Sequence, residues 1–467
     1  MPEFSLEFVL EATAGRLVGK GAPAVFHGVS TDTRSLGEGS LFVALKGERF
    51  DGHDFVERAL SGGAAAALVA RATEISGPAI VVEDTLAALG ALAKAHRARL
   101  SPRVVAITGS TGKTTTKEML VSVLSRGWKT ARTPGNFNNE IGVPLALLDL
   151  DESHDAAVIE LAMRGRGQIE YLARIAAPHI GVITNIGVSH LELLGTKDAI
   201  AETKAELLAS LPETGTAVLP AEDEFFGFLK ERSPARVVSF GRTERADVWV
   251  ERMEVGPTGA VSFFLSGWWG EDEVKLKAPG RHHALNAAAA AAAAMAAGAQ
   301  ADWIRPGLES FEAAEMRSQI TRSPEGYTVI DDCYNAAPDS MRVALELLAD
   351  LPGKHKWAVL GDMKELGPLA QEWHQEVGEL AATTGVAGLI TVGEFRGALA
   401  AGARRAQTQI RIEEAADNAK GSETLRKWVS AGDVVLVKGS RAMQMEQIVR
   451  DLLATPSETA EGEERTP

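Results

Sequence analysis

One short stretch, Thr108-Gly-Ser-Thr-Gly-Lys-Thr-Thr115, constrains this chain more than any other, because of where it lies. An apolar run, Val104–Thr108, leads into it and a helix-like segment, Lys117–Leu124, leads out. Gly109 and Gly112 permit a tight backbone path that turns successive N–H groups toward one point. The start of the following helix adds the positive end of its dipole. Strand, glycine turn and helix in this order make a phosphate cradle. Its expected contacts are Gly109, Ser110, Thr111, Gly112, Lys113, Thr114 and Thr115. Lys113 neutralises terminal phosphates, and the Thr114 and Thr115 hydroxyls suit phosphate or Mg²⁺. The strict phosphate-loop spacing asks for an earlier glycine, and Ile107 stands there instead.

A nucleotide switch or transport ATPase would next need an apolar strand ending in aspartate to hold the metal. Here the candidate strand, Ala156-Ala-Val-Ile-Glu160, ends in glutamate. Further on, Val182-Ile-Thr-Asn185-Ile-Gly-Val-Ser-His190 places a histidine in a loop after another strand. A carboxylate and a histidine at strand C-terminal ends form a plausible metal pair at the open edge of an α/β sheet. Taken singly, Glu160 and His190 are equally compatible with ordinary core or surface positions.

The rest of the chain supplies the setting. At 467 residues it is too long for one typical domain, and roughly two or three are expected. Sixty-three acidic against 48 basic residues give a net charge of −15, which excludes a general nucleic-acid surface. Polyanionic ligands must therefore be met by locally gathered cations and backbone donors. A single cysteine, Cys333, excludes an internal disulfide framework and fits a reducing cytoplasm. The first ten residues lack a signal-peptide pattern, and the apolar run Ala284–Ala297 reads as a packed soluble helix rather than a membrane span.

Short strand-like runs (Ser40–Leu45, Ala66–Val69, Ile80–Val82) make residues 1–84 a small α/β domain. A helix from Thr85 to about Leu100 opens a second domain, 85–315. Its runs Val104–Thr108, Ala156–Leu161, His179–Thr184 and Thr216–Leu219 alternate with helical segments, the signature of a parallel sheet covered on both faces. Ala246–Leu265 alternates in polarity without a helix and reads as an antiparallel hairpin. Thr328–Ile330, Trp357–Leu360, Leu389–Thr391 and Val434–Val437 repeat the strand–helix alternation, a Rossmann-like domain over 316–454. The Pro/Glu/Thr-rich tail 455–467 reads as disordered. The expected fold class is three-domain α/β, and nothing patterned argues against a monomer.

Several segments together resemble the Mur ligase family. They are Thr108–Thr115, Asn136-Phe-Asn-Asn139-Glu-Ile-Gly-Val-Pro144, Glu160, Thr184–His190 and Gly280-Arg-His-His-Ala-Leu-Asn286. In the last domain, Ile330-Asp-Asp-Cys-Tyr-Asn-Ala-Ala-Pro338, Leu360-Gly-Asp-Met-Lys-Glu-Leu-Gly367 and Lys438-Gly-Ser-Arg441 look like the member that adds D-alanyl-D-alanine to a UDP-muramoyl-tripeptide. The resemblance spans nearly the whole chain in the right order. Two departures stand out. His283 occupies a position where relatives usually carry Asn, and Glu160 is followed by Leu-Ala-Met where relatives often have Met-Gly.

The resemblance implies an ATP-dependent ligase working through an acyl phosphate, with one or two Mg²⁺ ions. Lys113, Glu160, His190 and Lys204 would be its catalytic residues. Thr115 and Glu160 would bind the first metal and His190 the second. Lys204, in Ala201-Glu-Thr-Lys204, matches the family lysine that CO₂ carbamylates, which would make it an anion able to approach Mg²⁺ and a fourth residue of the metal set. Without the family it reads as a solvated helix lysine between Glu202 and Glu206. The nucleotide would meet Asn286, Arg317, Asp332, Tyr334 and Asn335. Ser30, Asp32, Arg34, Lys46, Gly47, Asp51 and His53 match the UDP-sugar end. Asn138 and Asn139 would orient substrate near the phosphates, and Lys438, Ser440 and Arg441 would hold a substrate carboxylate at a helix start. A hinge is expected near Glu315–Arg317, so that the domains close over ATP. Two readings compete: a ligase adding the third amino acid or glutamate to folate, and a non-ligating nucleotide switch. The third-residue ligases usually carry Asp-Asn-Pro-Arg, which this chain lacks.

Overall fold

The structure, a computed structural model, describes residues 2–71, 75–189, 191–313, 315–406 and 409–454. His190 and the tail from Thr455 fall outside the described residues. Three sheets of five, nine and six strands organise the chain, with a two-stranded pairing of Glu3–Ser5 and Val25–His27 at the start.

The first sheet runs Arg16–Val18, Ala79–Val81, Ala66–Val69, Leu41–Val43, Val29–Ser30, parallel except for the first pair. Helix Thr85–Ala98 follows, started by Asp84, whose carboxylate accepts from the Leu86 and Ala87 N–H groups at 2.7 and 3.0 Å. Its buried face does not belong to one domain alone. Leu89, Leu92 and Ala93 share a single apolar cluster with Phe4, Leu41 and Ile80 on one side and Leu147, Leu172 and Ile159 on the other. The first two domains are thereby packed into one core rather than joined by a free linker.

In the nine-stranded sheet the order is Gly270–Pro279, Ala260–Gly267, Val248–Val255, Arg236–Gly241, Thr216–Pro220, Ile180–Ile183, Arg103–Thr108, Ala156–Glu160, Thr130–Arg132. The expected hairpin is a three-stranded meander. Val248–Val255 joins the sheet parallel to Arg236–Gly241, and the next two strands extend it antiparallel. Both faces of the parallel part are covered, and the strand period divides them. Val104, Ala106, Ala157 and Ile159 point into the cluster shared with the first domain. Val105, Ile107, Ala156 and Val158 point toward helices Lys113–Leu124, His282–Ala296 and Ile304–Ser310. The alanine run of His282–Ala296 is almost entirely buried, as a packed helix requires. Its small side chains let it lie close against Lys113–Leu124. No helix among the described residues is long and apolar enough to cross a membrane.

Beyond Met316 a six-stranded sheet forms in the order Gln319–Arg322, Thr328–Asp331, Val434–Lys438, Lys356–Leu360, Gly388–Val392, Arg411–Ala415. All but the first pair are parallel. Between the second and third domains the chain passes through Met316 and Ser318, both non-glycine residues in the left-handed region (φ 57° and 55°). Each such residue costs about 1–2 kcal/mol, so the turn holding Arg317 is strained.

Candidate active site

Strand Arg103–Thr108 lies between Ala156–Glu160 and Ile180–Ile183, so the chain, having built strands on one side of it, crosses to the other side between those two. That makes its C-terminal end a topological switch point, where open α/β sheets bind ligands. Register sets what stands there. Glu160 pairs beside Ile107 and Ile183 beside Thr108, so the glycine turn emerges flanked by Glu160 and by Thr184 and Asn185.

The turn is tied down residue by residue. Ser110 N–H donates to Asn185 O at 3.1 Å and Thr111 N–H to Asn185 Oδ1 at 3.0 Å. Asn185 Nδ2 donates to Thr111 Oγ1 at 2.8 Å, and Thr184 Oγ1 donates to Thr111 O at 2.5 Å. Gly109 (φ 149°) leaves no room for a side chain, since a Cβ would collide with the Thr184 hydroxyl. Gly112 (φ 80°) would carry its Cβ 2.5 Å from Asn286 Oδ1. Lys113 opens the helix and folds its Nζ back to Gly109 O at 2.7 Å and Ser110 O at 3.1 Å. Burial lowers the Lys113 pKa, Glu160 opposes that, and Arg317 adds to it. An ammonium held among carbonyls at the mouth of such a turn is ready to move onto a phosphate.

Glu160 is almost fully buried. Its Oε1 accepts from Asn138 Nδ2 at 2.8 Å, while Oε2 has no hydrogen-bond partner among the described residues. The nearest cation, Lys117 Nζ, is 3.9 Å from Oε2 and donates instead to Thr133 O at 2.8 Å. A buried carboxylate oxygen left without a donor, on a cavity wall it shares with Thr115, suits a hard divalent cation. Among the described residues no cluster of three His, Cys, Asp or Glu side chains forms a complete cage. Mg²⁺ needs none where phosphate oxygens and water supply the other ligands.

Lys204 lies in helix Lys197–Ala209 and is buried, not solvated. Burial, and then the charge of Lys113, push its pKa well below that of an ordinary lysine. It does not line the cavity surface itself.

The cavity in front of the turn holds about 1160 Å³ and lies between the second and third domains. From the second domain come the turn, Asn138, Asn139, Glu160 and Asn286; from the third come Arg317, Asp332, Tyr334, Asn335 and Lys438. Arg317 Nη2 donates to Thr114 Oγ1 at 3.3 Å, and its guanidinium lies over the Tyr334 ring, 4.2 Å from the centroid. Lys438 Nζ pairs with Asp332 Oδ2 at 2.5 Å and donates to Asn335 O at 2.8 Å. Ser318 N–H donates to the other oxygen, Asp332 Oδ1, at 2.9 Å. Two further contacts join the domains: Val188 N–H to Asp339 Oδ2 at 3.2 Å, and Arg281 Nε to Asp350 Oδ2 at 2.8 Å.

Some expected residues do not gather here. Ser440 and Arg441 lead into a single 3-10 turn, Arg441–Met443, rather than a helix. The Ser440 hydroxyl accepts from Lys364 N–H at 2.9 Å, and Arg441 pairs with Glu446 at 2.9 Å, so neither lines the cavity. The first-domain residues form their own group. Arg34 is bidentate on Asp32, whose pKa falls to about 2 through that hydrogen bonding. His53 Nδ1 lies 2.6 Å from Asp51 Oδ1, and Nε2 accepts from Ala70 N–H at 2.9 Å. Lys46 and Gly47 are exposed on the adjoining turn, and Ser30 Oγ accepts from Asp32 N–H at 3.2 Å.

Sequence reasoning missed Lys117, Asn185 and the pair His282–His283 as parts of the site. Asn185 is findable as the polar residue ending a strand next to the phosphate strand. Lys117 carries a weaker signal, a lysine one turn after Lys113 among residues that the helix period buries. The two imidazole rings lie with centroids 3.9 Å apart, tilted by 42° to each other. Burial pushes the His282 pKa down to about 4 and that of His283 well below its usual value, and both nitrogens of His283 lack a hydrogen-bond partner among the described residues.

A phosphate turn at a sheet switch point, a buried carboxylate beside it with one oxygen lacking a donor, and a Rossmann-like domain facing it from the front define a three-domain nucleotide-dependent ligase. The chain belongs to the Mur ligase family. Family models match in three consecutive pieces: "Mur ligase family, catalytic domain" over 25–97, "Mur ligase middle domain" over 107–294, and "Mur ligase, glutamate ligase domain" over 316–441. The chain is 37% identical over 438 residues to the UDP-N-acetylmuramoyl-tripeptide–D-alanyl-D-alanine ligase of Bacillus subtilis, covering 92% of this chain and 94% of that one. Among solved structures, MurF from Acinetobacter baumannii superposes with a TM-score of 0.90 at 34% identity, covering 97% and 99% of the two chains. MurF from Thermotoga maritima in complex with ADP gives 0.81 at 32%, covering 91% and 97%.

Proposed function

We propose that this chain joins D-alanyl-D-alanine to UDP-N-acetylmuramoyl-tripeptide at the expense of ATP, completing the pentapeptide precursor of peptidoglycan. The observation that carries the reading is the cleft itself. A phosphate cradle and a buried carboxylate oxygen without a hydrogen-bond donor among the described residues face a second domain across a cavity of about 1160 Å³. Full-length similarity to ligases of this name supports the choice of substrates.

The chemistry follows from what a carboxylate lacks. It is a poor electrophile until one oxygen becomes a leaving group. The tripeptide carboxylate oxygen attacks the γ-phosphorus, the bond to the β-phosphate oxygen breaks, and ADP leaves. The dipeptide amine then attacks the acyl carbon, the C–O bond to phosphate breaks, and the nitrogen sheds its proton as inorganic phosphate departs. Two anions must meet in the first step, so positive groups have to screen them. Lys113 and Arg317 do so from opposite domains. Thr115, Glu160 and His190 would hold Mg²⁺, which when bound screens the phosphates and orients them. Burial favours the neutral amine of Lys204, which would accept CO₂ as a carbamate and release a proton, so that an anion stands where an ammonium otherwise would. Asn286, Asp332, Tyr334 and Asn335 border the nucleotide, while the Arg34 and Lys46 region takes the UDP-sugar. Closure of the third domain excludes water, which would otherwise hydrolyse the acyl phosphate. This reading places the enzyme in the bacterial cytoplasm.

Trapping tests it. With ATP, Mg²⁺ and the UDP-tripeptide but no dipeptide, hydroxylamine should yield a UDP-tripeptide hydroxamate with one ADP per product. ADP formed without any hydroxamate would contradict an acyl-phosphate route.

A further inference from the structure

Helix Pro338–Asp350 forms part of the cleft's front wall, and its charged residues there differ sharply in how they are used. Asp339, in the first turn, is fixed on Val188 N–H and also meets the positive end of its own helix. That contact sets the helix start beside Ser110, whose hydroxyl donates to Gly187 O at 3.1 Å. One turn further on, Arg342 lines the same cavity, is exposed to it, and makes no ion pair or hydrogen bond with any described residue. Glu346, four residues on, also lines the cavity but lies beyond ion-pairing distance of Arg342. Other cavity cations of the third domain are engaged: Lys438 on Asp332, and Arg317 on Thr114 and Tyr334. Arg164 and Arg242 are free as well, but they stand on the second-domain wall.

We propose that Arg342 is the anchor for the carboxylate of the incoming dipeptide, and so a specificity-determining residue of the ligation. The inference rests on the reading above that the incoming amine belongs to D-alanyl-D-alanine. Distances along the chain support it. From Asp339 to Arg342 the helix rises about 4.5 Å, and a fully extended dipeptide spans roughly 7 Å. With its amine at the acyl phosphate in front of Ser110 and Lys113, a dipeptide places its carboxylate one helical turn away. A planar guanidinium with no protein partner matches a carboxylate in bidentate fashion. The helix N-terminus, already filled by Asp339, does not compete for that anion. Glu346 beyond it discourages a longer anionic substrate.

The test compares D-alanyl-D-alanine with its C-terminal amide on the full-length enzyme, R342A and R342K. Pentapeptide and phosphate formation are measured with the other substrates saturating. The unaltered enzyme should prefer the free acid over the amide by roughly 10- to 100-fold in kcat/KM, the worth of a charged hydrogen bond. R342A should raise KM for the dipeptide by a similar factor and lose that preference. KM for ATP and for the UDP-tripeptide should stay within about twofold, which also shows that the variant is folded. R342K should retain part of the preference, because its charge persists without the fork. Preference for the acid persisting in R342A, or an unchanged dipeptide KM, would overturn the anchor while leaving the ligase reading intact. If R342A failed to fold, R342K and the acid–amide comparison on the unaltered enzyme would still decide, since equal use of acid and amide excludes a carboxylate anchor. No pentapeptide from the unaltered enzyme would overturn the functional reading, and the anchor with it.

Discussion

The two walls of the cleft are built differently. On the second-domain side the phosphate turn is held before any ligand arrives: Thr111 by Asn185 and Thr184, Lys113 by the carbonyls of Gly109 and Ser110. On the third-domain side Arg317 reaches across with a 3.3 Å bond from a turn strained at Met316 and Ser318, and Arg342 has no partner among the described residues. One wall is preorganised for phosphate; the other is completed by what binds. Preorganised donors are worth most where charge develops, because they need no rearrangement at the moment of reaction. A wall that waits for its ligand makes chemistry depend on a filled site.

The largest effect should come from the preorganised wall. Lys113→Ala should lower the rate of ADP formation by about 10²–10³-fold or more, with an unchanged melting temperature. A loss of only a few-fold would mean that the turn is not the catalytic cradle. Lys204→Ala should abolish ligation while the protein still folds. In the unaltered enzyme, ligation should rise with added bicarbonate at neutral pH and lose that response as pH falls through the depressed Lys204 pKa, where the amine becomes charged and cannot take up CO₂. A bicarbonate response that strengthens toward acid pH would sink the carbamate.

On the opposite wall, Arg317→Ala should cost less, about tenfold in kcat/KM for ATP, because it removes one cation that is only partly fixed. An effect as large as that of Lys113→Ala would erase the distinction between the walls. Asp433 separates scaffold from site. Burial pushes its carboxyl pKa up, but donors from Trp357, Ser430 and His355 outweigh that and leave it lowered. Asp433→Ala should destabilise the third domain by roughly 2–3 kcal/mol in urea unfolding without altering KM for any substrate. A depressed native pKa gives the sign: this stability is present above the ordinary carboxylate value near 3.9 and is lost as pH falls through the lower native value. The smallest effect belongs to the interdomain ion pair. Arg281→Ala should change stability by about 1 kcal/mol or less, since the Arg281–Asp350 pair is part-exposed. Small-angle scattering of that variant without ligands should show a more extended molecule.

How much was legible follows the range of the signal. The parallel strands were readable because burial on both faces makes them continuous apolar runs, and Ala66–Val69 matches to the residue. The phosphate turn was readable because its function lies in consecutive residues. The meander was half readable: Val248–Val255 and Ala260–Gly267 alternate clearly, whereas Gly270–Pro279 hides in a charged stretch. Lys204 was misjudged by composition, because flanking glutamates suggest solvent and only the packing of its helix buries it. The order Lys438-Gly-Ser-Arg441 suggested an anion site, but Asp332, more than a hundred residues away, takes the lysine. Arg342 carried no local signal. Its meaning depends on how one domain faces another, and no window of the sequence holds that.

The most direct test is mass spectrometry of the products after incubation with ATP, Mg²⁺, UDP-N-acetylmuramoyl-tripeptide and D-alanyl-D-alanine. The account predicts the UDP-muramoyl-pentapeptide, with one ADP and one phosphate for each amide formed and no ADP when the UDP-tripeptide is left out. ADP released without the amide, at a rate indifferent to the dipeptide, would contradict it.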